Sequence, residues 1–549
     1  MPALHTSYAQ RRDPELATLR MNKSFSKRQK DRGLSTRQLA LVLCLLCLPI
    51  IISLTGCQPQ SAFAEPADGD QSMAQDNPAS AAGESSSSEG ENTLLATVTP
   101  FPTRPAYEPG ELVDYIAQSG DTLPALAIRF NTTVEEILTA NPFIPADATT
   151  MPPGMPMKIP IYYRSFWGSQ YQILPDSLFV NGPAQVDFDT QAFVDASPGW
   201  LKDAKTFANG KNIQGGEIIE LVSTNFSISP RLLLALLEHE LGALSKPEFP
   251  VYANPDYPLG YKTPTHRGLY MQLVWAANTL NQSYYGWRIG TMNDFDLPDG
   301  TFERYDPWQN AATVALQHYF LQGENDLQAY RRNTGPDGFA FTYQQLFGDP
   351  WAAVESHMPG SLQQPAMVLP FEVGKTWAYT GGPHTGWGSG LPFAAIDFAP
   401  PSEASGCINS KEWVTAVADG VITHHDTGVL ELDLDGDGDP RTGWVVLYLH
   451  IATRDKAPVG KVVSASEPIG HPSCEGGTST GTHIHIARKY NGEWIAADGK
   501  LAFNLENWLA ENGDTPYEGY LRRYSQVVTA CTCSNAASQL TSAAAPAQE

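Results

Sequence analysis

The chain is poor in positive charge. Its 549 residues carry 35 Lys and Arg against 59 Asp and Glu, a formal net charge of −24. Residues 1–56 hold nine of the basic residues and three of the acidic ones, so the remainder is more acidic still. Such a surface repels phosphate backbones and anionic bilayers, which excludes nucleic acid as a partner and charge-driven adhesion to lipid. Apart from that it describes a well-solvated exterior. Long hydrophobic runs are scarce. The run at residues 39–54 is sixteen residues long and contains Pro49, against the roughly 20 residues that a spanning helix needs. Cysteine is scarce too, at seven residues. A His-Glu-x-x-His zinc motif is absent: Glu238-His239-Glu240 lacks the second histidine, which excludes that class of glutamate-base site. The length exceeds what one core supports and implies three or four domains.

What is present begins with a basic flank, Lys23 to Arg37, followed by the apolar run and small residues. This order marks an export signal. Leu54-Thr55-Gly56-Cys57 resembles the bacterial lipoprotein lipobox, which implies lipid on Cys57 and removal of residues 1–56. A plain N-terminal anchor is the alternative. Either puts the rest outside the cytoplasm, facing the cell wall, and either Met1 or Met21 can be the start. Residues 57–106 are rich in Ser, Ala, Gly and Pro and are expected to be a disordered tether spanning roughly 40 Å as a coil. Cys407, Cys474, Cys531 and Cys533 remain for an oxidising compartment, with three pairings open. Cys407–Cys474 is favoured because both lie in one predicted domain. Cys531-Thr532-Cys533 can pair locally or bind metal.

Residues 107–163 read as strand, two helices and strand. Asp121 or Thr122 caps the first helix and Thr133 the second, and Asn141-Pro142 ends it. Gly120-Asp121-Thr122-Leu123 and Asn141-Pro142 resemble the LysM family, which implies a βααβ fold that binds N-acetylglucosamine in glycan chains. Pro124 and the extra residues 145–150 depart from that pattern. A small structural domain without sugar binding is the plainer alternative.

In residues 164–359, Ser229-Pro230 opens a helix. Leu233, Leu236, Leu237 and Glu240 share one face of it, and Gly242 stops it. A carboxyl beside apolar side chains is desolvated, which suits a general acid; a structural glutamate is the plainer alternative. With Gly268-Leu269-Tyr270-Met271-Gln272 and Asp306-Pro307-Trp308-Gln309-Asn310, the segment resembles the lysozyme-like fold of lytic transglycosylases. That implies a mostly α domain with Glu240 as catalytic acid and Gln272 lining a sugar cleft. Leu241 stands where that family has Ser, and Ala329-Tyr330 is followed by Arg331-Arg332 instead of the family's continuation. Non-catalytic glycan holding is the alternative.

Residues 360–372 are expected to be a linker and 534–549 a disordered tail. Between them, 373–533 alternate short β-branched and aromatic runs with turns, a mostly antiparallel β-sheet pattern. Seven of the twelve histidines fall between His384 and His485. Imidazole and carboxylate are ligands that zinc prefers. His483 and His485 lie two apart on a strand and face one side, so one can reach a metal and the other the reaction centre. The set His384, Asp397, Tyr448-Leu449-His450 and Thr482-His483-Ile484-His485, with Pro468-Ile469-Gly470, resembles the LytM/lysostaphin-type zinc endopeptidases. The thirteen-position step from His384 to Asp397 resembles the β-lytic/staphylolytic branch. The resemblance implies His384, Asp397 and His485 as zinc ligands, His450 and His483 as the catalytic pair, and peptidoglycan as substrate; a degenerate, partner-binding relative is the alternative. His424, His425 and His471 are expected on the surface or in loops. Asp433, Asp435 and Asp437 fit the first half of a Ca2+ loop, but Trp444 occupies the position of its closing Glu. A simple acidic hairpin turn is the competing reading.

Overall fold

The computed structural model describes residues 104–323, 326–533 and 535–543. The export signal, Cys57 and tether residues 58–103 lie outside these residues; the last tether residues, 104–106, are described, and Arg104 is held in place by an ion pair with Asp306 at 2.5 Å rather than being loose. Among the described residues no helix is long and apolar enough to cross a membrane.

The first layer follows from its caps. Strand β1 (Glu111–Ile116) leads to α1 (Leu123–Arg129), α2 (Val134–Ala140) and β2 (Pro156–Ile161). Thr122 Oγ1 caps α1, and Thr133 with Glu136 forms a capping box on α2. Asp121 is buried instead, accepting from Tyr115 and Arg129. β1 and β2 pair antiparallel, Val113 opposite Ile159, and close over Leu126, Phe130, Ile137 and Met151.

The middle layer holds α3 (Thr190–Ala196), the hairpin β3 (Lys205–Ala208) and β4 (Lys211–Gln214), α4 (Gly216–Phe226), α5 (Pro230–Leu241) and α6 (Leu269–Ile289). The hairpin β5 (Asp294–Asp296) and β6 (Phe302–Arg304) precedes α7 (Ala311–Gly323), α8 (Leu327–Asn333) and α9 (Phe339–Phe347). Ser229 caps α5, Pro230 opens it, and Gly242, at φ +61°, ends it. Leu233, Leu236 and Leu237 are fully buried, whereas Glu240 stays partly exposed at the helix end.

The last layer is a nine-stranded sheet. Its strands are β7 (Thr376–His384), β8 (Ala395–Ala399), β10 (Gly420–Asp426), β11 (Gly428–Asp433), β12 (Trp444–Ile451), β13 (Val462–Val463), β15 (Ile484–Tyr490), β16 (Glu493–Trp494) and β21 (Gln539–Thr541). They run in the order β13-β10-β11-β12-β15-β8-β7-β21, with β16 beside β15. β9 (Val414–Thr415) pairs with β14 (Pro468–Gly470). A further sheet holds β17 (Asn504–Leu505), β18 (Trp508–Asn512), β19 (Gly519–Arg523) and β20 (Gln526–Thr529). The period of two divides the large sheet's faces. Ile396, Val446, Tyr448, Ile484 and Ile486 point into its own core. Ala395, Leu447 and Ala487 point the other way, into the apolar core of the middle layer. Asp397 and His485 share that second face by alternation.

Two expected boundaries are corrected. Residues 367–371 are not linker, because Met367, Leu369 and Phe371 lie in the sheet's core and Val368 N–H donates to Val417. Residues 539–541 are not a loose tail, because Leu540 is buried opposite Trp377. The layers meet at Glu493. Its Oε2 accepts from Tyr284 at 2.9 Å and Arg288 at 3.1 Å and sits 2.6 Å from His357 Nε2. The Ser119 hydroxyl contacts His357 Nδ1 at 3.2 Å.

Candidate metal centre

β8 runs between β7 and β15 and aligns Gly381, Asp397 and His485 as cross-strand neighbours. His384 closes β7 beside them. His384 Nε2 lies 3.0 Å from His485 Nδ1, and Asp397 Oδ1 lies 3.3 Å and 3.4 Å from these two atoms. Ligand atoms around a tetrahedral ion at 2.0–2.1 Å are about 3.3 Å apart, so the triangle has the size of one face of such a site. All three residues are buried, and Asp397 Oδ1 has no well-aligned hydrogen bond.

The outer nitrogens fix the tautomers. His384 Nδ1 is 2.8 Å from the Gly382 carbonyl, and His485 Nε2 is 3.0 Å from the Gly386 carbonyl. A carbonyl only accepts, so each of these nitrogens donates and the inner nitrogen turns its lone pair to the centre. Two lone pairs 3.0 Å apart beside a carboxylate require a cation or a shared proton between them. Burial alone would raise the Asp397 carboxyl, but the adjacent histidines hold it well below the usual carboxylate range. Asp397 in turn raises His384 against its own desolvation, whereas burial prevails at His485 and lowers it. The donor set therefore fits a divalent cation of the zinc type.

His450 and His483 flank the triangle, ring centroids 4.5 Å apart. Opposite Gly428 and Val429, β12 carries one extra residue between Leu449 and Ile451. That residue is His450, at φ +67°. The bulge aims its ring at the centre instead of along the pleat. His450 Nδ1 donates to the Glu475 carbonyl at 2.8 Å, and His483 Nδ1 to the Gly481 carbonyl at 2.9 Å. Burial, aided by the charge of His483, pushes His450 down to about 4. Cys407 is bonded to Cys474, next to Glu475, so the bridge restrains the loop that orients His450. Cys531 and Cys533 are bonded to each other, the local-pairing alternative.

Tyr517 is a residue that the motifs did not indicate. Its ring stacks on His384 with centroids 4.0 Å apart, and its backbone sits at φ +70°. It accepts from Gly382 N–H through its carbonyl, so it holds the end of β7 that bears the His384 acceptor.

The other candidates lie away from this centre. Glu240 borders a separate cleft with Trp275 and Tyr319. Gln272 does not line it: the side chain is fully buried, its amide donates to the Tyr261 and His266 carbonyls, and its Oε1 accepts from Tyr261 N–H. It is a latch for the loop before α6. His471 lies in the loop after β14, as expected, but is buried there against Trp413. Asp433, Asp435 and Asp437 bring carboxylate oxygens within 4.8 Å of one another, and the same carboxylates accept the turn's own N–H groups, Asp433 from Asp435 and Gly438, Asp435 and Asp437 from the residue two further on.

Residues 172–361 match the family described as LasA, N-terminal domain, and residues 115–160 match the LysM domain. The matched family for the middle layer is thus that of LasA, where a lysozyme-like fold was expected. Protease LasA of Pseudomonas aeruginosa is 26% identical over 373 residues, 64% of this chain and 81% of its own length. Beta-lytic metalloendopeptidase of Lysobacter enzymogenes is 31% identical over 142 residues, 24% of this chain and 74% of its own. Among solved structures, the M23 metalloprotease pseudoalterin from the deep sea is 26% identical, covering 30% of this chain and 96% of that one, with a TM-score of 0.27.

Proposed function

This chain belongs to the β-lytic metalloendopeptidase family and is a metalloendopeptidase; on that premise we propose that it is a secreted zinc enzyme hydrolysing peptide bonds in the stems or cross-bridges of peptidoglycan. The LysM domain holds it on glycan, and a lipid on Cys57 tethers it to the membrane. The observation that carries this reading is the buried triangle of His384 Nε2, His485 Nδ1 and Asp397 Oδ1, with edges of 3.0, 3.3 and 3.4 Å.

Zinc held by these three residues supplies Lewis acidity, acidifying a water and polarising the scissile carbonyl. The protein's own groups move the protons. His450 is neutral at physiological pH, because burial disfavours its cation, and its Nδ1–H is committed to Glu475. Its Nε2 is therefore the base that takes the proton of the attacking water. His483 sits at the more open rim, its side chain 18% exposed. As a cation it donates to the developing oxyanion or to the leaving amine.

Zinc is the metal of this reading. Hydrolytic glycosidic cleavage at Glu240 is not part of it: among the described residues Glu240 is the single carboxylate lining its cleft, whereas most glycoside hydrolases use two. Stripping metal with a chelator should stop the release of free amines from purified peptidoglycan, and one equivalent of zinc should restore it. Undiminished release after complete metal removal would refute the reading.

A further inference from the structure

The cleft beside Glu240 has a volume of about 430 Å³, within the roughly 300–1,000 Å³ of small-ligand sites. Its walls come from the end of α5, from α6, from α7 and from the loop after residue 250, and they carry Glu240, Tyr252, Asn254, Tyr257, Trp275 and Tyr319. Trp275 is stacked on Tyr261 with centroids 4.8 Å apart and planes 6° from parallel, so its ring cannot swing. Tyr252 is 69% exposed at the rim, and its hydroxyl donates to the Glu240 carbonyl at 3.0 Å. The Tyr319 phenol stays protonated, because burial and the nearby Glu240 charge raise it well above its ordinary value.

The walls are also held before any ligand arrives. Gln272 ties Tyr261 and His266 to α6, and Arg267 pairs with Asp256 at 2.7 Å. A pre-formed site loses little ordering entropy on binding. Fixed aromatic faces with a carboxylate acceptor and phenol and amide groups suit a ligand with apolar C–H faces and a hydroxyl- or amide-bearing edge. Lys262 also lines the cleft and balances Glu240, so the site suits a ligand without net charge.

We propose that this cleft is a second carbohydrate site, which binds a neutral N-acetylated glycan strand without cleaving it. Glu240 accepts hydrogen bonds from sugar hydroxyl or amide groups, and the exposed ring of Tyr252 stacks on a sugar, with Trp275, one face of which is already covered by Tyr261, as part of the wall. The choice of an N-acetylated sugar rests on the peptidoglycan reading; the cleft itself does not.

The test is hydrogen exchange on the full chain titrated with the N-acetylglucosamine tetramer. Segment 252–262 and the first turns of α6 should gain protection. Half-saturation of that protection should rise about tenfold or more in Glu240→Gln and in Tyr252→Ala, at unchanged melting temperature. Tyr252→Ala removes an exposed ring, so its folding is not in question. Protection confined to residues 115–160, or equal half-saturation in both variants, would overturn the proposal. Glycan shortening by the wild type and not by Glu240→Gln would overturn it too, by making the cleft catalytic. Amine release from peptidoglycan, measured on the same samples, reports the zinc reading separately.

Discussion

His384 Nε2 and His485 Nδ1 face each other across 3.0 Å, although 101 residues separate them along the chain. Only strand pairing makes this possible. β8 sits between β7 and β15, so the end of one hairpin and the start of a distant strand are neighbours in the sheet. Asp397, on the strand between them, completes the set. The candidate metal site is thus a property of sheet order, and its weak points are the places where that order is tight.

Gly381 is one of them. A Cβ at this position would run into the Asp397 carboxylate. Gly381→Ala should leave the circular dichroism spectrum unchanged and lower zinc affinity about 10–100-fold, the range seen when a ligand's support is disturbed. Competition with a chromogenic chelator measures it. Unchanged affinity would mean that Asp397 has room to move.

His450→Ala separates proton transfer from metal holding. Zinc content should stay at one per chain, and turnover should fall about 10²–10⁴-fold, the usual contribution of a general base. Atomic emission and a peptide-release assay check both. Loss of zinc would make His450 a ligand, and unchanged turnover would remove it from the mechanism.

Tyr517 should behave as a positioning residue. Tyr517→Phe keeps the ring on His384 and should hold zinc affinity within about twofold. Tyr517→Ala removes the stack, worth about 0.5–1.5 kcal/mol, and should weaken zinc binding about 2–10-fold. Equal affinity in the two variants would contradict a role for the ring.

Glu493 should make the junction of the three layers acid-sensitive. Burial opposes its ionisation, but Arg288 and His357 outweigh this and bring it down to about 2 from an ordinary 4.5. Its stabilisation is therefore complete above pH 4.5 and lost as pH falls toward 2, on the order of 3 kcal/mol. Glu493→Gln should melt below the wild type at pH 7, with the gap closing toward pH 2. A gap independent of pH would show that Glu493 is not ionised in the folded protein.

The motif residues were legible because histidine and aspartate recur in short, spaced patterns. Strand alternation explains why His485 and Asp397 share a face. The bulge at His450 was not legible, since it depends on the register of β11 against β12. Nor was Tyr517, which lies far from any motif and reaches His384 through tertiary packing. Leu540 sits in a run of small residues that reads as a tail, yet one leucine opposite Trp377 suffices to add an edge strand. Gln272 shows the opposite failure. Its sequence context suggested a sugar contact, but a buried amide satisfied by three loop backbone groups is a structural latch.

We propose that His384, Asp397 and His485 form a zinc centre that cuts wall peptides. Mass analysis of purified peptidoglycan digested by the wild type and by His485→Ala decides it. The wild type should generate new free amines and carboxyls on stem or bridge peptides, with no new sugar ends, and His485→Ala should bind no zinc and generate neither. Peptide cleavage that persists in His485→Ala, or new sugar ends alone in the wild type, would contradict the account.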